Sequence, residues 1–367
     1  MTKVRHVLGI SGGKDSTALA IYLRDNYPEL NIEYYFCDTG KELDETYALI
    51  DSLEAYLGKP IVRLNAAPDS SDAPFDHFLT LYGGYLPSAS SRWCTRKLKL
   101  EPFEQWVGDA PVVSYVAIRG DEHREAYISR KANIQSIFPF RKNIWSEDVI
   151  NLVLQNSNIG ALAELYTKYL SGERLEFVLE VVSRPLSPKF SQRVKLNALL
   201  DFSVSTFNHV VFDYLKTTDY SLANVTSFPL LDNEENLTKA DIFRILEESG
   251  VGLPQYYSKI EFEVDGKTGI YHRSRSGCFF CFFQQKIEWV WLYEQHPDLF
   301  QKAMEYEKDG FSWMQNERLT DLIKPERIAE IKAEHLKRTA QNGQGQSNKL
   351  LDILELDEEV GCAACFI

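Results

Sequence analysis

Three groups of residues in this chain have types and spacings that could do chemistry. The first is Ser11-Gly12-Gly13-Lys14-Asp15-Ser16, between the apolar run ending at Ile10 and an apolar-periodic stretch that follows. Two adjacent glycines let backbone N–H groups approach oxyanions closely. A helix starting there would point its positive end at them. Lys14 adds a point charge, and Ser11 and Ser16 add hydroxyl donors. The stretch reads as a phosphate cradle, but not the Walker A kind, which would need Gly at position 8 and Ser or Thr at position 15. The chain has Leu8 and Asp15 there. The second group is sulfur: Cys278-Phe279-Phe280-Cys281, and Cys94 inside "RWCTRKLK". A C-x-x-C pair suits zinc, an iron–sulfur cluster or a redox disulfide, or three cysteines packed in an aromatic core. The cations around Cys94 (Arg92, Arg96, Lys97 and Lys99) favour its thiolate. Cys37 reads as a core residue of a strand. Cys362 and Cys365 form a second C-x-x-C, read as a sulfur relay, a metal site or an inert tail. The third group sits at strand ends: Asp38-Thr39-Gly40 and Arg119-Gly120.

The elements that must position these groups alternate between strand and helix. "VRHVLGI", "IEYYFCDTG", "IVRLNA" and "PVVSYVAIRGDE" are strand-like, and "STALAIYLRDNY" and "ELDETYALIDSLEAYLG" are helix-like. This predicts an α/β fold with a parallel twisted sheet and helices on both faces. Ligands then sit beyond the carboxyl ends of the strands, where the loops after Ile10, Cys37 and Ile118 lie. Residues 146–222 read as mostly helical and carry no chemical motif. The expected organisation is a core at 1–135, a helical insert at 136–225, a C-terminal part at 226–335 that completes the core, and a tail at 336–367.

Composition narrows the class. The chain has 367 residues, 44% of them apolar, so a sizeable core can be buried. It has no apolar run long enough to span a bilayer and no signal-peptide pattern at its start. A cytoplasmic protein without a membrane partner is the expectation. Six cysteines then suggest metal, redox or sulfur chemistry rather than structural disulfides. The net charge of −13 excludes a broadly basic nucleic-acid binder. Arg92, Arg96, Lys97, Lys99, Arg273 and Arg275 fall in the two cysteine-bearing segments, so a local basic patch is expected there. The aromatics Phe279 to Phe283, Trp289 and Trp291 could stack bases, but a core stripe is the better reading. No Ser-His-Asp arrangement or metal-spaced histidine pair is visible.

The sequence S-G-G-K-D-S after a first strand resembles the signature of the PP-loop ATP pyrophosphatases (the adenine nucleotide alpha hydrolase-like fold). "DTG", Glu42 and Glu45-Thr46, "RWCTRKLKLEPF" and "IRGDEHR" resemble the phosphoadenosine phosphosulfate (PAPS) reductase-like branch. "RSRSGCFFCFFQQKIEWVWLYEQHP" is similar to the DNA phosphorothioation proteins of the SspD and DndC type, and the chain's length is nearer the former. The resemblance covers roughly residues 5–130 and 225–310.

It implies an enzyme that splits ATP into AMP and pyrophosphate and transfers AMP to an acceptor oxygen, here a DNA backbone phosphate, for displacement by sulfur. Ser11, Gly12, Gly13, Lys14, Asp15 and Ser16 carry over as the pyrophosphate loop, with Asp15 helping to hold Mg²⁺. Asp38, Thr39, Arg119 and Gly120 carry over as ATP contacts. The catalytic set is Lys14, Asp15, Ser16 and Cys94. Cys94, Cys278 and Cys281 carry over as ligands of a [4Fe–4S] cluster. Three ligands are visible where four are needed, so the fourth comes from elsewhere or one iron is open to sulfur. The implied partners are a cysteine desulfurase and DNA delivered by other members of a modification complex of the kind used in anti-phage defence. The oligomeric state stays open, a homo-oligomer included. Alternatives are a sulfonucleotide reductase, a tRNA thiolation enzyme and a non-catalytic ATP-binding adaptor.

Overall fold

The computed structural model describes residues 3–122, 129, 131–308 and 310–343. The C-x-x-C at Cys362 and Cys365, His123 and Arg124 lie outside them.

The fold is α/β, with a five-stranded parallel sheet flanked by helices. Its strands are β1 (Arg5–Gly9), β2 (Ile32–Asp38), β3 (Ile61–Asn65), β4 (Val112–Tyr115) and β5 (Ile134–Ile137), in the order β3-β2-β1-β4-β5. Two helices follow the first two strands, α1 (Lys14–Asn26) and α2 (Asp44–Leu57). All four residues of β4 are buried, as parallel strands covered on both faces require. β4 pairs in parallel with β1, Arg5 opposite Val112, and with β5, Val112 opposite Ile134. The chain runs outward from β1 to β2 and β3, then resumes on the other side of β1 with β4. The carboxyl end of β1 is therefore the topological switch point, where open α/β sheets place their ligands. The loop Ile10–Thr17 leaves β1 at that end.

The chain divides into two compact units. The first comprises the described residues up to Gly9, Ala18–Tyr34 and Val107–Ile242. It holds the helices Glu147–Leu154, Ile159–Thr167, Gly172–Ser183, Gln192–Phe202 and Val204–Leu215. Ser191 and Ser203 cap two of these, each accepting a backbone N–H with its hydroxyl. Lys195 is fully buried, and its ammonium donates to the carbonyls of Val182 (2.7 Å) and Arg184 (3.0 Å). It thereby satisfies acceptors at the end of Gly172–Ser183, which that helix cannot satisfy itself.

The second unit comprises Ile10–Thr17, Tyr35–Trp106 and the described residues from Phe243. It contains an antiparallel hairpin, β6 (Ile260–Val264) and β7 (Lys267–Tyr271). Asp265 and Gly266 both have positive φ, 51° and 69°, as a two-residue Asp-Gly hairpin turn demands. After the hairpin, Glu288 Oε1 accepts from Ser274 N (2.7 Å) and Ser274 Oγ (2.9 Å). Glu288 also forms a capping box with Gln285 at the start of the helix Lys286–Gln295. The hairpin exit is thus fixed to a helix whose Trp289 and Trp291 are buried in an aromatic core with Phe279, Phe280 and Trp313. Burial makes these rings core residues and leaves them no face for stacking a base.

Candidate functional site: a phosphate loop and a thiol cavity

The loop after β1 is built almost wholly from its own polar groups. Gly12 has φ +70°, the left-handed region, and a Cβ there would collide with the Thr46 methyl. A Cβ on Gly13 would lie 2.6 Å from Ser276 Oγ. Gly12 is thus required by close approach and by its backbone conformation, and at Gly13 a side chain would displace the Ser276 hydroxyl. Ser16 Oγ accepts from Ser11 N (3.1 Å), meets Ser11 Oγ at 3.1 Å and donates to Gly13 O (3.2 Å). Thr17 Oγ1 donates to the same carbonyl at 2.9 Å. From later in the chain, Tyr256 OH donates to Gly12 O at 3.0 Å. Lys14 and Asp15 are 4% and 5% exposed, and their charged groups are 3.3 Å apart. The Lys14 ammonium also stands 5.5 Å from the centre of the Tyr257 ring. The first N–H groups of α1 have no acceptors within the helix. The loop therefore offers an anion oriented amides, hydroxyls and one cation whose charge a carboxylate balances.

The residues after β2 form a second cluster in the same unit. Asp38 Oδ1 accepts from Gly40 N (2.8 Å) and Tyr47 OH (2.9 Å). Thr39 Oγ1 donates to Glu42 Oε1 at 2.7 Å and lies 3.2 Å from Cys278 Sγ. Phe279 N donates to Lys41 O at 2.9 Å, which holds the C-x-x-C turn against this bend. Gly277 reaches φ +124° just before it. Cys94 arrives from another direction: after Trp93–Thr95 the chain winds as a π-helical segment, Arg96–Leu100. The i→i+5 repeat of that winding lets Cys94 and Lys99 line one cavity. Thr39, Cys94, Lys99, Cys278 and Cys281 all border this cavity, with Phe75, Phe280 and Trp313 among its apolar walls. Its volume is about 50 Å³, far below the roughly 300 Å³ at which small-molecule pockets begin. A nucleotide does not fit there; a sulfur-sized group does.

The electrostatics of the cavity correct one expectation. Burial pushes the Cys278 thiol up, and the Glu42 charge adds to the effect. Burial also pushes the Cys281 thiol up, against the smaller opposite pull of Arg273, Arg275 and Lys99. The nearby cations therefore do not keep these two cysteines as thiolates, because desolvation outweighs them. The basic patch is corrected as well. Arg273 is fully buried, with its guanidinium 5.9 Å from the centres of the Tyr256 and Trp291 rings. Its Nη2 donates to Cys278 O at 3.1 Å, and its Nε and Nη1 have no hydrogen-bond partner among the described residues. Arg96 and Lys97 are both paired with Glu101, at 3.1 and 2.8 Å.

The three cysteines expected as ligands do share one cavity. Among the described residues, however, no group of three His, Cys, Asp or Glu side chains is placed to hold a metal ion, so the structure lends a [4Fe–4S] cluster no support. Cys37 is buried as expected, its thiol pushed up to about 12 by burial. In the first unit, Arg119 is 3% exposed and paired with Asp121 (2.9 Å) and Glu122 (2.9 Å). Gly120 N donates to Leu237 O at 2.9 Å, and a Cβ on Gly120 would collide with the Asn236 amide. Sequence reasoning did not find Tyr256 and Ser276 as partners of the loop, or Glu42 as the partner of Thr39. The Asp-Gly turn at Asp265, which delivers the 273–281 segment, was the available signal.

Comparison with known proteins finds a family match in the first part of the chain. Residues 5–174 match the phosphoadenosine phosphosulfate reductase domain. This reductase-like domain contains the loop, Asp38, Thr39, Glu42, Cys94, Lys99, Arg119 and Gly120, but not Tyr256, Arg273, Ser276 or the C-x-x-C pair. An uncharacterised protein of Methanocaldococcus jannaschii is 29% identical over 153 residues, 38% of this chain and 30% of that protein. The tRNA-specific 2-thiouridylase MnmA of Psychromonas ingrahamii is 24% identical over 127 residues, 32% of this chain and 33% of the enzyme. MnmA of Francisella philomiragia is 28% identical over 112 residues, 28% of this chain and 30% of the enzyme. The chain thus spans about a third of the length of the curated relatives it matches. No solved structure matches it. Among the described residues, no helix is long and apolar enough to cross a membrane.

Proposed function

We propose that this protein is a PP-loop ATP pyrophosphatase that activates an acceptor oxygen for replacement by sulfur. The observation that carries the reading is the Ser11–Ser16 loop: two closely packed glycines at the end of β1, a helix start and the near-buried Lys14. In this reading an acceptor oxygen attacks the α-phosphorus of ATP, and the α–β bridging oxygen leaves with pyrophosphate. A sulfur nucleophile then attacks the adenylylated centre, and AMP departs with the acceptor oxygen. Lys14, the loop amides and the hydroxyls of Ser11 and Ser16 hold the charge that gathers on pyrophosphate. The Asp15 carboxylate is the loop's hard oxygen donor and would hold Mg²⁺, which neutralises phosphate charge when bound. Activation is needed because a phosphodiester oxygen is a very poor leaving group.

The acceptor proposed is a DNA backbone phosphate, with sulfur supplied by a cysteine desulfurase in the cytoplasm. The resemblance of the Arg273–Pro297 segment to the phosphorothioation proteins supports it. The MnmA relatives favour a second reading, thiolation of tRNA by the same activation chemistry. Incubation with α-labelled ATP, a desulfurase, cysteine and either duplex DNA or tRNA tests both. The expected result is labelled AMP, free pyrophosphate and thiolated DNA. Thiolated tRNA alone would replace the DNA reading with the tRNA one. Absence of pyrophosphate under every condition would overturn the pyrophosphatase reading itself.

A further inference from the structure

Three thiols border one cavity, and Cys278 is joined to a carboxylate through a hydroxyl. Thr39 has a single hydroxyl proton and donates it to Glu42 Oε1 at 2.7 Å. Its remaining role toward Cys278 Sγ, 3.2 Å away, is acceptor, so the thiol is the donor in that contact. Glu42 Oε2 receives N–H from Lys41 (3.2 Å) and lies 3.1 Å from Tyr47 OH, whose one proton is shared between Glu42 and Asp38 Oδ1 (2.9 Å). Thr39 and Glu42 are buried, and Cys278 is partly buried. We infer that Cys278 is the reactive thiol of the cavity and that Thr39 relays its proton to Glu42.

The relay has a physical reason. Ionising a partly buried thiol beside a buried carboxylate would place two negative charges together in a poorly solvated site. Moving the thiol proton through Thr39 to Glu42 Oε1 leaves one negative charge before and after; it only changes its bearer. Lys99 borders the cavity and acts electrostatically on both Glu42 and Cys278. It therefore faces the charge whichever group carries it. Burial raises Glu42 above the usual carboxylate range, with the Asp38 charge acting in the same direction, which makes it a stronger proton acceptor. Groups that also face the pair are Asp38, Tyr47 and Cys37 on the Glu42 side, and Cys281, Tyr306 and Arg273 on the Cys278 side. The occupant class is a sulfane-sulfur donor, since the cavity admits little more than a sulfur-bearing group. This deepens the sulfur-transfer reading by naming the thiol that meets the donor.

Methyl methanethiosulfonate, a small sulfenyl donor, tests the relay without ATP, so a failed relay and a failed pyrophosphatase reading stay distinguishable. Cys278 sulfur attacks the sulfenyl sulfur, an S–S bond forms, methanesulfinate leaves and the thiol proton passes to Glu42. The rate at each cysteine is read by acid quench and peptide mass mapping across pH. In the unmodified protein the Cys278 rate should rise as Glu42 ionises and then level off. In Glu42→Gln and Thr39→Val it should fall about tenfold or more at neutral pH and lose the plateau, while Cys281 changes little. Thr39→Ser, which keeps the hydroxyl, should restore both. Plain electrostatics predicts the opposite sign for Glu42→Gln, because removing a neighbouring negative charge favours the thiolate. A faster or unchanged Cys278 in Glu42→Gln overturns the inference, as does a Cys278 slower than Cys94 and Cys281 in the unmodified protein. If Glu42→Gln fails to fold, the Thr39→Val and Thr39→Ser pair decides by the same criterion.

Discussion

The phosphate loop and the thiol cavity belong to the same compact unit and are made in opposite ways. The loop is six consecutive residues whose hydroxyls and carbonyls bind one another, with a Lys–Asp pair that balances its own charge. The cavity draws Thr39, Cys94, Lys99, Cys278, Cys281 and Trp313 from separate stretches and lines them largely with aromatic rings. In the loop, polar groups are buried with partners at hand. In the cavity, burial dominates, raising Glu42, Cys278 and Cys281 together. Chemistry held in one contiguous motif tolerates burial because the motif carries its own compensation. Chemistry assembled across the chain has its pKa values set by the fold.

The largest expected effect tests whether the cavity is a rigidly built site. Arg273→Glu places a carboxylate where a fully buried guanidinium now meets two aromatic rings and Cys278 O. The cost should be about 3–5 kcal/mol, read as a large loss in thermal stability. A variant that melts like the parent would mean the cavity floor is loose. Next, Lys14→Ala should slow pyrophosphate release about 10²–10³-fold while the methanethiosulfonate rate at Cys281 stays unchanged. Parallel losses in both would show that loop and cavity work as one site.

A smaller effect isolates the loop's backbone. Gly12→Ala, at φ +70° against the Thr46 methyl, should cost about 2 kcal/mol of stability. Chemical denaturation measures this, and a neutral result would mean that the loop does not require its left-handed turn. The smallest effect is a pH dependence. Glu42 has a folded-state pKa above its unfolded value, so its protonated form stabilises the fold below the unfolded pKa. That contribution is lost as pH rises through the raised pKa. Relative to the parent, Glu42→Gln should therefore gain stability as pH rises through this range. Melting curves at stepped pH check the sign; a gain on acidification would contradict it.

The contrast also explains what the sequence made legible. Strand–helix alternation from β1 to β4 was readable because each element carries its own period, and the loop because its chemistry is contiguous. β5, Ile134–Ile137, was not identified: four apolar and polar residues become a sheet strand only by pairing with β4. The shared cavity of Cys94, Cys278 and Cys281 was expected from resemblance, whereas the Thr39–Glu42 bridge was not, since hydrogen bonds across 239 and 3 positions leave no periodic trace. The basic patch failed because a count of charges along the chain does not reveal that Arg273 is buried or that Arg96 and Lys97 share Glu101.

The contact of Tyr256 with Gly12 spans 244 residues, and Ser276 stands against Gly13 from even further along. During synthesis, at about 5–20 residues per second, the loop emerges 244 residues ahead of Tyr256. It then waits many seconds for the two side chains that brace it. Pairings this distant in sequence are slow to close, so the nascent chain carries its phosphate cradle unbraced until translation is well past Ser276. The loop thus reaches its braced form only after the distant segment that braces it has been made.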